Sequence, residues 1–199
     1  GRELMLLVAS KDRAFTPDAA RATGKLIVLV QNCIHAGESA GKDASLMLLR
    51  DIAVTKTRQD LLEQVILLII PIFNVDGHER FSPYSRINQN GPEEMGWRTT
   101  SRNLNLNRDY LKADAVEMRA WLGLWNVWRP DLFIDHHTTD GADWQYDFVY
   151  AVDQHGAAAP QVVEWTKAHL GARLTETLEK GGHIVAPYID VVDWTDLAK

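Results

Sequence analysis

Thiols are nearly missing from this sequence. Cys33 is the single cysteine in 199 residues, which excludes an intrachain disulfide and a zinc site built from several cysteines. Long apolar runs are missing too. Val65 to Phe73, broken by Pro71, falls well short of the roughly 20 residues a membrane-spanning helix needs. Positive charge is in deficit: 21 Lys and Arg against 27 Asp and Glu give a formal net charge of -6, the wrong sign for wrapping a phosphate backbone. Nucleic acid is therefore not an expected partner. No repeat or low-complexity tract interrupts the chain. No basic, apolar leader precedes Leu4, so an export signal is expected to be absent or already removed. What remains, 46% apolar and 24% charged residues, is the composition of an ordinary globular domain with an adequate core. The length suits one domain, read as 1–199.

Short apolar runs rich in β-branched residues, bounded by chain breakers, predict strands at Leu4 to Ala9, Leu26 to Gln31, Val65 to Phe73 and Leu132 to Asp135. Apolar residues at helical spacing predict helices over Ser39 to Ile52, Asp114 to Trp128 and Gln161 to Lys180. The second is expected to open on Asp114 and Glu117 in capping-box spacing and to stop before Pro130. The third should end at Gly181-Gly182. Strands alternating with helices imply an α/β sandwich with an at least partly parallel sheet. Between Val75 and Asp109 no periodicity is visible, and a loop so long is usually functional.

In open α/β sheets, ligands gather beyond the carboxyl ends of the strands. His35 and Glu38 follow the second expected strand, Asn74 and Asp76 the third, and His136 and His137 the fourth. His35-Ala36-Gly37-Glu38 sits where a strand meets a helix, and a spacing of three lets an imidazole and a carboxylate face one cation. Adjacent strand residues point to opposite faces, so at most one of His136 and His137 is expected to join them. Two histidines, one carboxylate and an open position describe a catalytic zinc site rather than a structural one.

Four segments in order resemble the zinc carboxypeptidase family, the carboxypeptidase A-like metallopeptidases. They are His35-Ala36-Gly37-Glu38, Asn74-Val75-Asp76-Gly77, the run from Trp97-Arg98 to Leu106-Asn107-Arg108, and Phe133 to His137. The resemblance implies a three-layer α/β/α sandwich with a mixed, twisted sheet, and one zinc ion held by His35, Glu38 and His137. His136 then faces away from the metal. The resemblance also implies that Arg98 polarises the scissile carbonyl and stabilises the oxyanion, and that Asn107 and Arg108 hold a substrate's terminal carboxylate. Both are tasks suited to a rigid, permanently charged guanidinium. The expected activity is hydrolysis of the C-terminal peptide bond of a peptide, in an exported compartment. A deacylase of N-acyl amino acids would share the same ligands and clamp.

Three departures qualify the resemblance. The family commonly has an aspartate two residues before the Asn-Arg pair, orienting a zinc-bound histidine, and here that position is Asn105. Asp135, two before His137, is an alternative orienting group or simply a strand-end cap. Valine stands at position 75, where proline is frequent in the family. The general-base glutamate that the family carries on a late strand has no counterpart: Glu164, Glu176 and Glu179 fall on an expected helix. Tyr188 is the candidate for the family's late tyrosine. The resemblance therefore implies a chain incomplete at both ends, and a noncatalytic zinc-binding module is the reading from another class. Trp121, Trp125 and Trp128 are expected in the core, and Cys33 is expected to be a plain strand residue.

Overall fold

The computed structural model describes residues 2–86, 89, 91–138, 141, 143–152 and 158–188. They fall into two compact units that divide after Gly141. The first contains strands β1 (Leu7–Ala9), β2 (Leu26–Gln31), β3 (Val65–Ile70) and β4 (Leu132–Asp135), with helices α1 (Pro17–Ala22), α2 (Ala40–Ala53), α3 (Val75–His78) and α4 (Val116–Trp128). The strands pair in the order β1-β3-β2-β4. β2 runs parallel to both of its neighbours and β1 antiparallel to β3, so the sheet is mixed.

Burial on both faces explains why β2 and β3 read as unbroken apolar runs. Alternate residues serve opposite layers. Ile27, Leu29, Ile66, Leu68 and Ile70 pack with Phe73, Leu106 and the α4 residues Met118, Trp121 and Trp128. Val28, Val30, Leu67 and Ile69 pack with Ile52 of α2 and with Leu62. The result is a three-layer α/β/α sandwich. Trp121 and Trp125 stack at 5.1 Å and both meet Phe133 edge-on, which places them in the core layer.

The chain leaves β2 toward β3 on one side and returns from β3 to β4 on the other. Successive connections thus part at the carboxyl end of β2, the position where open α/β sheets form their ligand crevice.

Several boundaries differ from the sequence expectation. β3 stops at Ile70 because Pro71 has no N–H for the ladder. Only Leu7–Ala9 of the first run finds partners on β3. α1 was not anticipated, although Thr16 caps it through Ala19 N and Pro17 opens it. α4 begins at Val116, not Asp114, and no capping box forms. The buried Asp109 carboxylate instead accepts from Asp114 N at 3.0 Å and Ala115 N at 2.8 Å.

The second unit pairs β5 (Phe148–Tyr150) in parallel with β6 (Val185–Pro187), two short strands with little signal in the sequence. Its long expected helix divides into α5 (Pro160–Trp165), a π-helical stretch Thr166–Gly171, and α6 (Ala172–Lys180), which ends at Gly181. Glu164 lies in α5, while Glu176 and Glu179 lie in α6, where Glu176 pairs with Lys180.

Candidate metal centre

After β2 the chain turns sharply at Cys33, which is buried and adopts φ 55°, a left-handed conformation uncommon outside glycine. Its carbonyl accepts from Asn74 N at 2.9 Å, tying this turn to the one that follows β3. Glu38 N donates to the His35 carbonyl at 3.0 Å, so a single tight turn carries both side chains. They are only 3% and 2% exposed.

The Glu38 carboxylate is the hub. Its Oε1 lies 2.9 Å from His35 Nδ1 and 2.9 Å from Arg86 Nη1. Its Oε2 lies 2.9 Å from His137 Nδ1 and accepts from Thr138 N at 3.2 Å. Arg98 Nη1 stands 3.7 Å from Oε1. Burial pushes the Glu38 carboxyl up, but hydrogen bonds from His137, His35 and Arg86 outweigh it and hold the group well below the usual carboxylate range. For His137, burial pushes down, while hydrogen bonds to Asp135 and Glu38 prevail and raise it to about 9.

Asp135 makes the contact the sequence left open. Its Oδ2 lies 3.0 Å from His137 Nε2, and its Oδ1 accepts from Gln31 Nε2, which also reaches the Tyr110 hydroxyl, both at 2.9 Å. An imidazole held through Nε2 on a carboxylate presents Nδ1 as its ligand nitrogen. Asn105 does other work: its side chain accepts from Asn107 N at 3.1 Å and caps the 3-10 turn Leu106–Arg108. His35 Nε2 is buried with no hydrogen-bond partner among the described residues. His136 turns to the other side, its Nδ1 2.8 Å from Asn32 Oδ1, with burial lowering its pKa.

The ligand atoms of His35, Glu38 and His137 all lie within 4.8 Å of one another. Two imidazole nitrogens and a carboxylate oxygen converging from two segments are a donor set that zinc takes, so these residues fit that ion.

Arg98 is delivered by the turn after β3. Asn74 caps α3 through Gly77 N, and its Nδ2 donates to the Arg98 carbonyl at 3.1 Å. Gly77 does more than make that turn: a Cβ there would stand 2.4 Å from the Trp97 carbonyl oxygen, while Trp97 N donates to the Gly77 carbonyl at 2.8 Å. Among the described residues, Asn107 and Arg108 lie on their short turn with local hydrogen bonds, Arg108 Nη1 donating to the Asn107 carbonyl at 2.9 Å. Tyr188 lies in the second unit, half exposed, its N donating to the Tyr150 carbonyl. Asp140 and Ala142 of the stretch after His137, and His155, lie outside the described residues. Sequence reasoning missed Arg86, one of several arginines in the aperiodic segment, with no spacing to mark it.

The zinc carboxypeptidase family model matches residues 1–168. The chain belongs to the zinc carboxypeptidase family. Carboxypeptidase 2 of Trichophyton rubrum is 28% identical over 195 residues, covering 93% of this chain and 33% of that protein. Probable carboxypeptidase 2 of Arthroderma benhamiae is 27% identical over 195 residues, covering 93% of this chain and 34% of that protein. The chain thus spans about a third of the length of these curated relatives. A metallo-carboxypeptidase from Burkholderia cenocepacia shares the fold at TM-score 0.66 and 19% identity, over 96% of this chain and 46% of that one. Carboxypeptidase A from Helicoverpa armigera does so at TM-score 0.66 and 16% identity, over 94% and 49%. Zinc is the ion this zinc carboxypeptidase family implies, and His35, Glu38 and His137 are a group able to hold a metal. No helix among the described residues is long and apolar enough to cross a membrane.

Proposed function

We propose that this chain carries the zinc-binding part of a metallocarboxypeptidase that removes the C-terminal residue of a peptide, and that both compact units belong to one catalytic domain. The observation that carries this reading is the convergence of His35, Glu38 and His137, with the Arg98 guanidinium beside them, in a member of this family. His35, Glu38 and His137 would hold the ion. Zinc, when bound, supplies Lewis-acid activation of water and of the scissile carbonyl. Glu38 stays ionised against burial, and Asp135, on Nε2, would hold His137 with Nδ1 turned toward the ion once that nitrogen gives up its proton. Arg98, about a third exposed in its side chain, is able to donate to an oxyanion that develops as the carbonyl is attacked. Asn107 and Arg108 would take the free carboxylate of the substrate in a bidentate grip. No residue of the chain is assigned to the general-base role.

The test compares zinc-loaded protein on peptides with free and amidated C-termini. Cleavage of the free form alone supports the reading. Equal cleavage of both overturns the Asn107 and Arg108 assignment. Release of acyl groups from N-acyl amino acids without peptide cleavage reassigns the site to a deacylase, and zinc binding with no turnover of any of these substrates leaves a noncatalytic module.

A further inference from the structure

Glu38 is met by a charge that the family likeness does not account for. Arg86 is 5% exposed, and its Nη1 lies 2.9 Å from Glu38 Oε1. Burying a permanent charge is costly unless a partner offsets it, and this one is spent on a carboxylate that is itself buried. Two features build the contact. Ser82 and Met95 exchange backbone hydrogen bonds of 3.0 and 3.1 Å, which closes the intervening segment into a loop that carries Arg86. Gly37 leaves room for it: a Cβ there would stand 3.0 Å from Arg86 Cγ and 3.0 Å from the Gly96 carbonyl oxygen, so the stem of Arg86 passes where a side chain would begin.

We propose that Arg86 is a positioning residue for metal binding, fixing the rotation of the Glu38 carboxylate before an ion arrives. The inference rests on reading His35, Glu38 and His137 as the ligands. Two effects of the guanidinium compete. It orients a ligating oxygen pair, and it repels a divalent cation. Orientation dominates, because Arg86 holds Oε1 at hydrogen-bond distance beside His35 Nδ1, which turns Oε2 toward His137, so that each carboxylate oxygen faces one ligand histidine. Arg98 does not replace it, since it stands 3.7 Å from the same oxygen, beyond a hydrogen bond, and is ten times more exposed in its side chain, 32% against 3%.

The experiment measures zinc affinity of the wild-type chain, Arg86→Met and Arg86→Lys by competition with a chromophoric chelator, with visible spectra of the cobalt-substituted proteins alongside. Arg86→Met should bind zinc about 10–100-fold more weakly and shift the cobalt bands, which report the ligand field and not overall stability. Arg86→Lys, which keeps the charge and one donor, should recover most of the lost affinity. Unchanged or tighter zinc binding in folded Arg86→Met would overturn the proposal, as would a Lys variant no better than the Met one. If Arg86→Met does not fold, Arg86→Gln takes its place with the same expected weakening and the same contradicting result. A wild-type chain that takes up no zinc would overturn the ligand reading itself, an outcome distinct from failure of Arg86 alone.

Discussion

The two halves of the proposed site are built differently. On the metal side, Glu38 and His35 are almost wholly buried, and the Glu38 carboxylate is shared by His35, His137, Arg86 and Thr138. On the carboxylate side, Arg108 is exposed and the turn carrying Asn107 is held by its own backbone and by Asn105. The metal side is therefore organised by the fold itself, through contacts between residues up to about a hundred positions apart. The proposed carboxylate side is anchored to the core through Leu106 but leaves Arg108 at the surface, and its partner would be the substrate. Mutations on the first should damage metal binding and folding together, and mutations on the second should touch turnover alone.

The largest effect is expected at Glu38. Glu38→Ala removes the carboxylate that Arg86, His35 and His137 share, and breaking a buried pair costs about 3–5 kcal/mol. Urea denaturation should show that loss together with loss of bound zinc. A loss as large in Arg108→Ala would erase the contrast between the two halves.

Gly77→Ala comes next. Its Cβ would meet the Trp97 carbonyl oxygen at 2.4 Å, and such overpacking costs about 1–3 kcal/mol. The melting temperature should fall and the tryptophan emission should move, because the segment that carries Trp97 and Arg98 must shift. An unperturbed melt would mean that the turn gives way freely and does not position Arg98.

Cys33 supplies a pH test on the metal side. Burial pushes its thiol up to about 12, with Lys42 opposing and Asp43 and Glu38 adding to it. A raised folded-state value means that stability is full below the unfolded thiol's pKa of roughly 8.5 and declines as pH rises above it. Between pH 8 and 9.5 the wild type should lose about 1 kcal/mol relative to Cys33→Ala. Parallel pH profiles for the two proteins would show that the thiol is less enclosed than its contacts indicate.

The smallest effect on stability is expected at Arg108. Arg108→Ala should stay within about 0.5 kcal/mol of wild type, bind zinc normally, and raise KM only for substrates with a free carboxylate. A changed zinc affinity would show that the clamp and the metal are coupled.

How much of this was legible depended on the range of the interactions. β2 and β4 were read to the residue, since short apolar parallel strands declare themselves by composition and are bounded by polar residues. Strand ends sharing one rim gave the expectation that one of His136 and His137 would approach His35, and the family resemblance pointed to His137. Arg86 was not, because its role depends on a loop closure at Ser82 and Met95 and on empty space at Gly37, neither of which has a sequence period. The capping of α4 was misread for a similar reason. Asp114 has the right spacing to Glu117, yet Asp109, five residues earlier, is the carboxylate that fold geometry turns onto the helix start. Asn105 shows the converse: its departure from the family pattern was visible, but that His137 would rest on Asp135 instead required coordinates.

Of the two histidines after β4, His137 is proposed to belong to the metal and His136 is not. Metal analysis of purified wild type, His137→Ala and His136→Ala tests it directly. The prediction is about one zinc per chain in the wild type and in His136→Ala, and none in His137→Ala. Zinc retained by His137→Ala, or lost from His136→Ala while the protein stays folded, would contradict it.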